Sequence, residues 1–313
     1  MDVKTTFLNG ELDEEIFMDQ PIGFVVKGQE RKVCRLNRSF YGLKQSSRQW
    51  YKRFHQEVIS NGFLMIEEDH CVYVKRSEGS FIILSLYVDN ILLAGNNMEF
   101  IKTIKEWLSS TFEMKDMGEA SFVLGVKILK DHSRKLLGLS QEAYIRKVLK
   151  RFHMQDCKPI DTPVGKGDSL SSEMCPRTQA KIESMARVPY ANAIGSLMYA
   201  ILCTRPDVCF AVGLVSRFQS NPRLAYWKVV KRILRYLRET ADYMLCYQGR
   251  DLRLRGYSDA DWAGDLDERK STSGYTFLLG GGAITWCSKK HSCVALSTME
   301  SEYVACSRSS LVT

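Results

Sequence analysis

The chain has 313 residues, 45% of them hydrophobic and 26% charged, and a formal net charge of +8. This composition is globular and excludes an intrinsically disordered protein, while the longest apolar run, 81–88, is far shorter than the roughly 20 residues of a membrane helix. Because the N-terminus shows no basic stretch followed by an apolar one, we expect no signal peptide, free thiols, and an intracellular protein rather than a secreted one.

Hydrophobic periodicity predicts alternating helices and strands in the first half of the chain. Residues 44–61 carry apolar side chains at helical spacing, and Gly62 predicts the end of that helix. The stretch 69–95 predicts strands, with Asp89 and Asn90 in a tight turn between apolar arms. The same reasoning predicts a helix over 97–112 capped by Asn97, strands in FVLGVKIL and KLLGLS, and a helix in SQEAYIRKVLKRF capped by Ser140.

The second half of the chain changes character twice. Prolines, glycines, serines and charges crowd 157–188, which predicts a linker. From about residue 252 a strand pattern returns, and GYTFLLGGGAITWCS predicts a hairpin around its glycines. Between these regions the periodicity predicts helices over 190–203, 206–220 and 222–240, and a last helix begins near Thr298.

Four carboxylates stand at strand ends or helix starts, beside aromatic or β-branched residues. A carboxylate near apolar strands is costly unless it finds a cation or hydrogen-bond donors. Two of them on adjacent strands can share divalent metal, and two metal ions about 4 Å apart can activate a hydroxyl and stabilise a leaving pyrophosphate. The four are Asp2, Asp89, Asp259 and Glu302. Taken singly, Asp2 is better explained as an N-cap and Asp89 as a turn residue.

Successive blocks of the sequence follow the order of one known family. They include DVKTTF from Asp2, SFYGLKQS at 39–46, LYVDNILLAG around Asp89, LSQEAYIRKVL, and GYSDADWAGDLDERKSTSGYTFLLGGGAITWCS from Gly256. With these blocks the chain resembles, over essentially its whole length, the reverse transcriptases of copia-type plant LTR retrotransposon Pol polyproteins. The last block resembles the opening of their ribonuclease H domain.

The resemblance implies an RNA-directed DNA polymerase that uses two Mg²⁺ ions. Asp2 matches the first metal-binding aspartate, and Asp89 matches the first aspartate of the Tyr-x-Asp-Asp turn, where Asn90 replaces the second. Because a neutral amide is a poorer Mg²⁺ ligand than a carboxylate, we expect Asn90 to weaken the site and impair polymerisation. The other implied positions are Phe7, which excludes a 2′-hydroxyl; Gln45, in the template and nucleotide pocket; Leu124 and Gly125, in the primer-gripping hairpin; and Asp259 and Glu302, ribonuclease metal ligands.

The implied fold is α+β. It consists of a reverse-transcriptase palm of antiparallel sheet with helices, a helical thumb or connection region, and a C-terminally truncated RNase H-like α/β unit. The expected partners are an RNA template with a DNA primer or an RNA–DNA hybrid, and deoxynucleoside triphosphates, with no membrane. We place the reverse transcriptase domain, without its fingers, at 1–156, the linker at 157–188, the helical region at 189–245 and the RNase H-like domain at 246–313.

A basic stripe on the predicted helix 222–240 has two interpretations. Its side chains either follow the phosphates of a primer–template duplex or form a solvated face opposite the apolar one; the resemblance favours the duplex. The stripe consists of Lys228, Lys231, Arg232, Arg235 and Arg238.

Two wider alternatives for the function of the chain stay open. One is a non-catalytic nucleic-acid-binding remnant, and the other is a functionless chain whose incomplete last sheet exposes a strand edge.

Overall fold

A computed structural model describes residues 1–165, 170–175 and 178–310, without the side chains of 180–182. The chain divides into two compact units, Met1–Ala120 and Ser121–Thr313. Both contain antiparallel sheets and helices, so the predicted mixture of α-helices and antiparallel β-structure is confirmed. Within the described ranges no helix combines the length and apolar character that crossing a membrane requires. Parts of the predicted linker, 166–169 and 176–177, and the chain end at 311–313 lie outside the described residues.

The first unit is built on a six-stranded sheet in which every neighbouring pair is antiparallel. Its strands alternate buried and exposed side chains, because successive residues of a strand point to opposite faces. On β6, for example, Ile82, Leu84 and Leu86 are buried, whereas Phe81 and Ile83 are exposed. The strands are β1 (Asp2–Val3), β2 (Phe17–Asp19), β3 (Val33–Arg35), β4 (Leu64–Met65), β5 (Val72–Ser77), β6 (Ser80–Tyr87), β7 (Asn90–Gly95) and β8 (Met114–Lys115). The sheet order is β4-β5-β6-β7-β1-β8, and β2 pairs separately with β3.

Two helices, α1 (Ser46–Ser60) and α2 (Met98–Thr111), pack into the same core as the buried face of this sheet. The helix α1 ends as predicted, since Gly62 follows it with a φ of +83° that favours glycine. The predicted cap of α2 is confirmed as well, because the Asn97 side chain accepts hydrogen bonds from two backbone N–H groups of the first turn. The core includes Trp50, Phe54, Val58, Tyr73, Ile104, Leu108 and Phe112.

The second unit contains two smaller antiparallel sheets. The first has the strands β9 (Phe122–Val123), β10 (Val126–Asp131), β11 (Leu136–Ser140) and β12 (Met244–Gln248), in the order β12-β11-β10-β9. The second has β13 (Arg255–Ala260), β14 (Thr272–Leu279) and β15 (Gly282–Lys290) in sequence order. The predicted glycine hairpin is confirmed, because Gly280 and Gly281 turn the chain with φ values of +58° and +82°.

Helices supply most of the core of the second unit. An ion pair with one buried partner lies among them: Arg205, 2% exposed, donates to both carboxylate oxygens of Asp207 at 2.9 and 2.7 Å and to the carbonyl of Thr240 at 3.0 Å. Burial alone raises the pKa of Asp207, but the Arg205 guanidinium and the donating Tyr236 hydroxyl together outweigh this effect and keep the pKa below its usual value. The helices are α3 (Glu142–Arg151), α4 (Gln179–Ala186), α5 (Tyr190–Cys203), α6 (Cys209–Ser216), α7 (Leu224–Glu239) and α8 (Thr298–Ser310).

Two local predictions need correction. Ser140 is not the N-cap of α3, because it still belongs to β11; Gln141 occupies the cap position, and the Ser140 hydroxyl accepts from the N–H of Glu142 at 3.2 Å. The predicted helix 206–220 begins as a 3₁₀ turn and ends as an α-helix at Ser216. Beyond that residue the N–H groups of Phe218 and Gln219 make tighter i→i−3 bonds, which do not continue an α-helix.

Candidate active site

The first unit brings Asp2 and Asp89 to neighbouring backbone positions. Asp2 on β1 lies opposite Asn90, the first residue of β7. The N–H of Val3 donates to the carbonyl oxygen of Asp89 at 2.8 Å. Opposed residues of an antiparallel pair lie about 4.5–5.5 Å apart between Cα atoms, so two aspartates far apart in sequence meet at one place in the sheet. Both are half-buried.

The turn that carries Asp89 has an unusual backbone conformation. Tyr87 pairs with Asn90 across the β6–β7 hairpin, which leaves Val88 and Asp89 as a two-residue loop. Two-residue hairpin loops favour positive φ, and Val88 has a φ of +56°. A β-branched residue rarely adopts that region. The turn therefore holds Asp89 with backbone strain at the residue before it.

Polar neighbours shape the charge around the two aspartates. The Asn90 side-chain amide donates to Asp89 Oδ1 at 2.7 Å, and Lys115 on β8 lies opposite Asp2 on the other side of β1. A further carboxylate, Asp116, follows β8 and already accepts two bonds from Lys105 Nζ at 3.1 Å. The N–H of Gly118 and then Lys105 lower the pKa of Asp116, so this carboxylate is compensated within the protein.

The donor set suits one hard cation better than two. Among the residues that the structure describes, we find no group of three or more His, Cys, Asp or Glu side chains that could hold a metal ion. Magnesium, however, is commonly bound by one or two protein carboxylates while it keeps waters and substrate phosphates. Asp2 and Asp89 meet that requirement chemically. Asn90 is neutral, and its amide N–H₂ group donates to Asp89 Oδ1, so it adds no negative charge beside the two aspartates.

Phe7 and Gln45 both lie in the first unit, near the start of α1. Phe7 lies in a 3₁₀ turn, Thr6–Asn9, and its ring packs edge-on against Tyr41 at a centroid distance of 4.8 Å. The following Gly10 lies so close to α1 that an added Cβ would stand 2.8 Å from the Cβ of Gln49. Gln45 precedes α1, and its carbonyl accepts from the N–H of Gln49 at 3.0 Å. The loop with Phe7 is thus fixed against the helix that Gln45 begins.

The predicted primer-gripping residues form the turn between β9 and β10 in the second unit. Leu124 and Gly125 have φ values of +49° and +80°. The Tyr199 hydroxyl donates to the carbonyl oxygen of Leu124, and the Leu124 side chain is 49% exposed. The turn therefore presents an apolar side chain on a backbone held from α5.

Four residues of the basic stripe of α7 fall into two groups. Lys228 and Lys231 are exposed. Arg232 donates to the Thr162 hydroxyl at 2.8 Å, and Arg235 donates to the Lys158 carbonyl at 2.6 Å. Two of the cations that sequence reasoning assigned to nucleic acid therefore bind the chain segment after α3, whereas the lysines face solvent.

Asp259 and Glu302 lie on contacting elements of the second unit. Asp259 is exposed on β13, opposite Gly274 of β14. Glu302 is half-buried on α8. The helix α8 packs on β13, and at this contact Cys306 Sγ lies 3.4 Å from Ser258 Oγ. Cys306 follows Glu302 by one helical turn, and Ser258 directly precedes Asp259. Each carboxylate is thus next to a residue of that contact.

The family follows from the comparison of the sequence with known proteins. Residues 1–166, which include Asp2, Phe7, Gln45 and Asp89, match the family model of the reverse transcriptase (RNA-dependent DNA polymerase). The chain belongs to the reverse transcriptase family. No solved structure matches the chain.

Several curated relatives of this reverse transcriptase chain come from transposons. It is 53% identical to the retrovirus-related Pol polyprotein from transposon TNT 1-94 of Nicotiana tabacum, over 97% of this chain and 23% of that protein. It is 36% identical to the Pol polyprotein from transposon RE2 of Arabidopsis thaliana, over 97% of this chain and 20% of that protein. It is also 32% identical to a putative transposon Ty5-1 protein of Saccharomyces cerevisiae, over 98% of both chains. The predicted likeness to copia-type Pol polyproteins is confirmed, and the chain spans about a fifth of the length of the two plant relatives.

Sequence reasoning missed two residues that position the candidate turns of this chain. Trp50 is one of the apolar side chains at helical spacing in 44–61 and was given no role at the site, yet its indole N–H donates to the carbonyl of Val88 in the Asp89 turn at 2.6 Å. Tyr199 holds the Leu124 turn. A buried tryptophan or tyrosine needs a hydrogen-bond partner for its polar atom, and that need was visible in the sequence. Which backbone carbonyl would meet it was not, because the partner depends on the tertiary fold.

Proposed function

We propose that the first unit is the palm of the reverse transcriptase and that Asp2 and Asp89 are the carboxylates of its nucleotidyl-transfer site. One observation carries the proposal: β1 and β7 pair so that Asp2 stands opposite Asn90 and beside Asp89. The match of residues 1–166 to the family model supports it. The substrates that follow from it are deoxynucleoside triphosphates, with an RNA template and a DNA primer.

In this proposal the chain's own residues bind and orient the reactants. Asp2 and Asp89 would hold Mg²⁺, which when bound neutralises triphosphate charge and polarises the primer hydroxyl. The ring of Phe7, supported by Tyr41, excludes a ribose 2′-hydroxyl by its bulk. Gln45, at the start of α1, lines the pocket for the base pair. Catalysis is then positioning and charge neutralisation.

Asn90 sets the level of activity that we expect. It brings an amide where a carboxylate would add negative charge, and its N–H₂ group already occupies one oxygen of Asp89. Both effects weaken divalent metal binding. We therefore expect this chain to extend a primer on an RNA template slowly or not at all.

Metal affinity and primer extension test the proposal together. Asn90→Asp should bind Mg²⁺ or Mn²⁺ about tenfold more tightly than the wild type, a magnitude typical of changes next to a metal ligand. Asp89→Asn should bind more weakly than the wild type. Calorimetric titration gives the affinities, and extension of a labelled DNA primer gives the rates, which should follow the same order. Equal metal affinity in all three proteins would refute the assignment of this site.

A second candidate function is nucleic-acid binding without chemistry. The exposed Lys228 and Lys231 on α7 favour it, and so does the weakened metal site. Binding to an RNA–DNA hybrid should be independent of Mg²⁺ and should weaken as salt is raised, because each phosphate contact releases counterions. Lys228→Ala should reduce the salt slope by roughly 0.9 for one lost contact. Hybrid binding without primer extension, even in Asn90→Asp, would favour this function over polymerisation.

We extend the proposal to the second unit as a helical thumb or connection region followed by an RNase H-like domain. In that assignment Asp259 and Glu302 would hold metal ions, which when bound would activate the water that attacks the RNA strand of a hybrid. Their positions on the contacting elements β13 and α8 support it. Cleavage of labelled RNA in a hybrid by the wild type, and its loss in Asp259→Asn, tests this part.

A further inference from the structure

The indole of Trp50 reaches from α1 into the turn that carries Asp89. Trp50 is 2% exposed, and its ring packs against Phe54 and Phe112 at centroid distances of 5.4 and 5.3 Å. Its Nε1–H donates to the carbonyl oxygen of Val88 at 2.6 Å. The side chain therefore joins a rigid aromatic core to one specific backbone atom of the loop.

That backbone atom belongs to the strained residue of the turn. Val88 holds a φ of +56°, which a β-branched residue keeps only where surrounding contacts impose it. The next peptide is also held, because the carbonyl of Asp89 accepts from the N–H of Val3 at 2.8 Å. Trp50 and β1 thus fix the two carbonyl groups on either side of the Asp89 backbone N–Cα–C unit.

We infer that Trp50 is a positioning residue for the Asp89 carboxylate, acting through the carbonyl of Val88. The inference rests on the proposed function in one respect, namely that Asp89 binds metal. Core packing alone requires an aromatic ring at this position but does not require an N–H group aimed at a strained peptide. A phenylalanine would supply the ring and lose the donor.

Substitution of Trp50 separates these two roles. Trp50→Phe should weaken Mn²⁺ binding, measured by electron paramagnetic resonance, by about tenfold, a loss typical of second-layer partners of a ligand. The backbone amides of 88–91 should also exchange faster with deuterium. Trp107→Phe is the matched control, because Trp107 packs in the same unit against Phe63 without touching the turn. It should leave both measurements within twofold of the wild type.

A second replacement keeps the test valid if Trp50→Phe does not fold. Benzothienylalanine at position 50, introduced by nonsense suppression, has the shape of tryptophan but lacks the N–H group. It should reproduce the loss of Mn²⁺ affinity and the faster amide exchange at 88–91, while the melting temperature of the protein stays unchanged. Val88→Gly should reduce the effect of either replacement, because glycine adopts positive φ without strain.

The outcomes distinguish this inference from the proposed function. If folded proteins without the Trp50 N–H group bind Mn²⁺ as the wild type does, while Asp89→Asn binds it weakly, the inference is wrong and the metal site stands. If Asp89→Asn also binds like the wild type, the proposed function fails. Amide exchange at 88–91 then decides alone whether Trp50 fixes the turn, and unchanged exchange overturns the inference.

Discussion

The buried side chain of His291 makes the stability of the second unit depend on pH. His291 is 2% exposed, and neither ring nitrogen has a hydrogen-bond partner within the described part of the chain. Burial and then the positive charge of Arg308 lower the pKa of His291 below 6.5, while Asp261 opposes them. The folded protein therefore favours the neutral ring.

We expect the free energy of unfolding to fall with acidification through this residue. Between the lowered folded pKa and 6.5 the unfolded chain binds more protons than the folded one, so stability rises with pH in that window and is lost as pH falls below 6.5. Denaturant unfolding of the second unit at a series of pH values measures the slope. His291→Gln should flatten it, and His132→Gln, at an exposed position, should not; equal slopes in both variants would contradict the prediction.

At the scale of elements, local signals predicted well and distant pairings did not. Asn97 marks the start of α2 and Gly62 the end of α1 as predicted, because capping depends on residues within one turn. The strand β12 was not predicted, since it is formed by pairing with β11, which is remote in sequence. The same reason applies to the candidate site: the sequence indicated Asp2 and Asp89 as ligands, but neither the strain at Val88 nor the bond from Trp50 could be derived without the fold.

The Asn97 cap gives a prediction for one element. Its side chain accepts from the N–H groups of Glu99 and Phe100 at 3.0 and 3.2 Å. Asn97→Ala should lower the free energy of unfolding by about 1 kcal/mol, as measured by urea denaturation. Gln45→Ala is the control, because Gln45 occupies the cap of α1 without a side-chain cap bond. A loss in Gln45→Ala as large as that in Asn97→Ala would argue against capping as the cause.

For the whole molecule, the division into Met1–Ala120 and Ser121–Thr313 is matched by two separate hydrophobic cores, one in each unit. Phe54 and Leu234 are fully buried in different clusters. None of the boundaries of the predicted domains, at 157, 189 and 246, coincides with this division, and β12 spans residue 246. The assignments of those domains stay predictions, whereas the cores can be tested directly.

We expect a cavity in one core to destabilise that unit alone. Phe54→Ala should cost about 3–5 kcal/mol and speed hydrogen exchange in the strands of the first unit. Leu234→Ala should cost about 2–5 kcal/mol and do the same around α5 and α7. Exchange measured by mass spectrometry after peptic digestion resolves the two units. Uniform acceleration throughout the chain in either variant would show that the two cores unfold as one.

The pairing of Asp2 with Asn90 also limits the kinds of genetic change that this part of the sheet can tolerate. If β1 slid by one residue along β7, side chains would exchange faces: buried Val3 would turn outward, and the Asp2 carboxylate would be forced towards Ile91 in the apolar interior. A codon gained or lost within β1 is therefore far more damaging than a codon exchanged at the neighbouring, exposed Lys4.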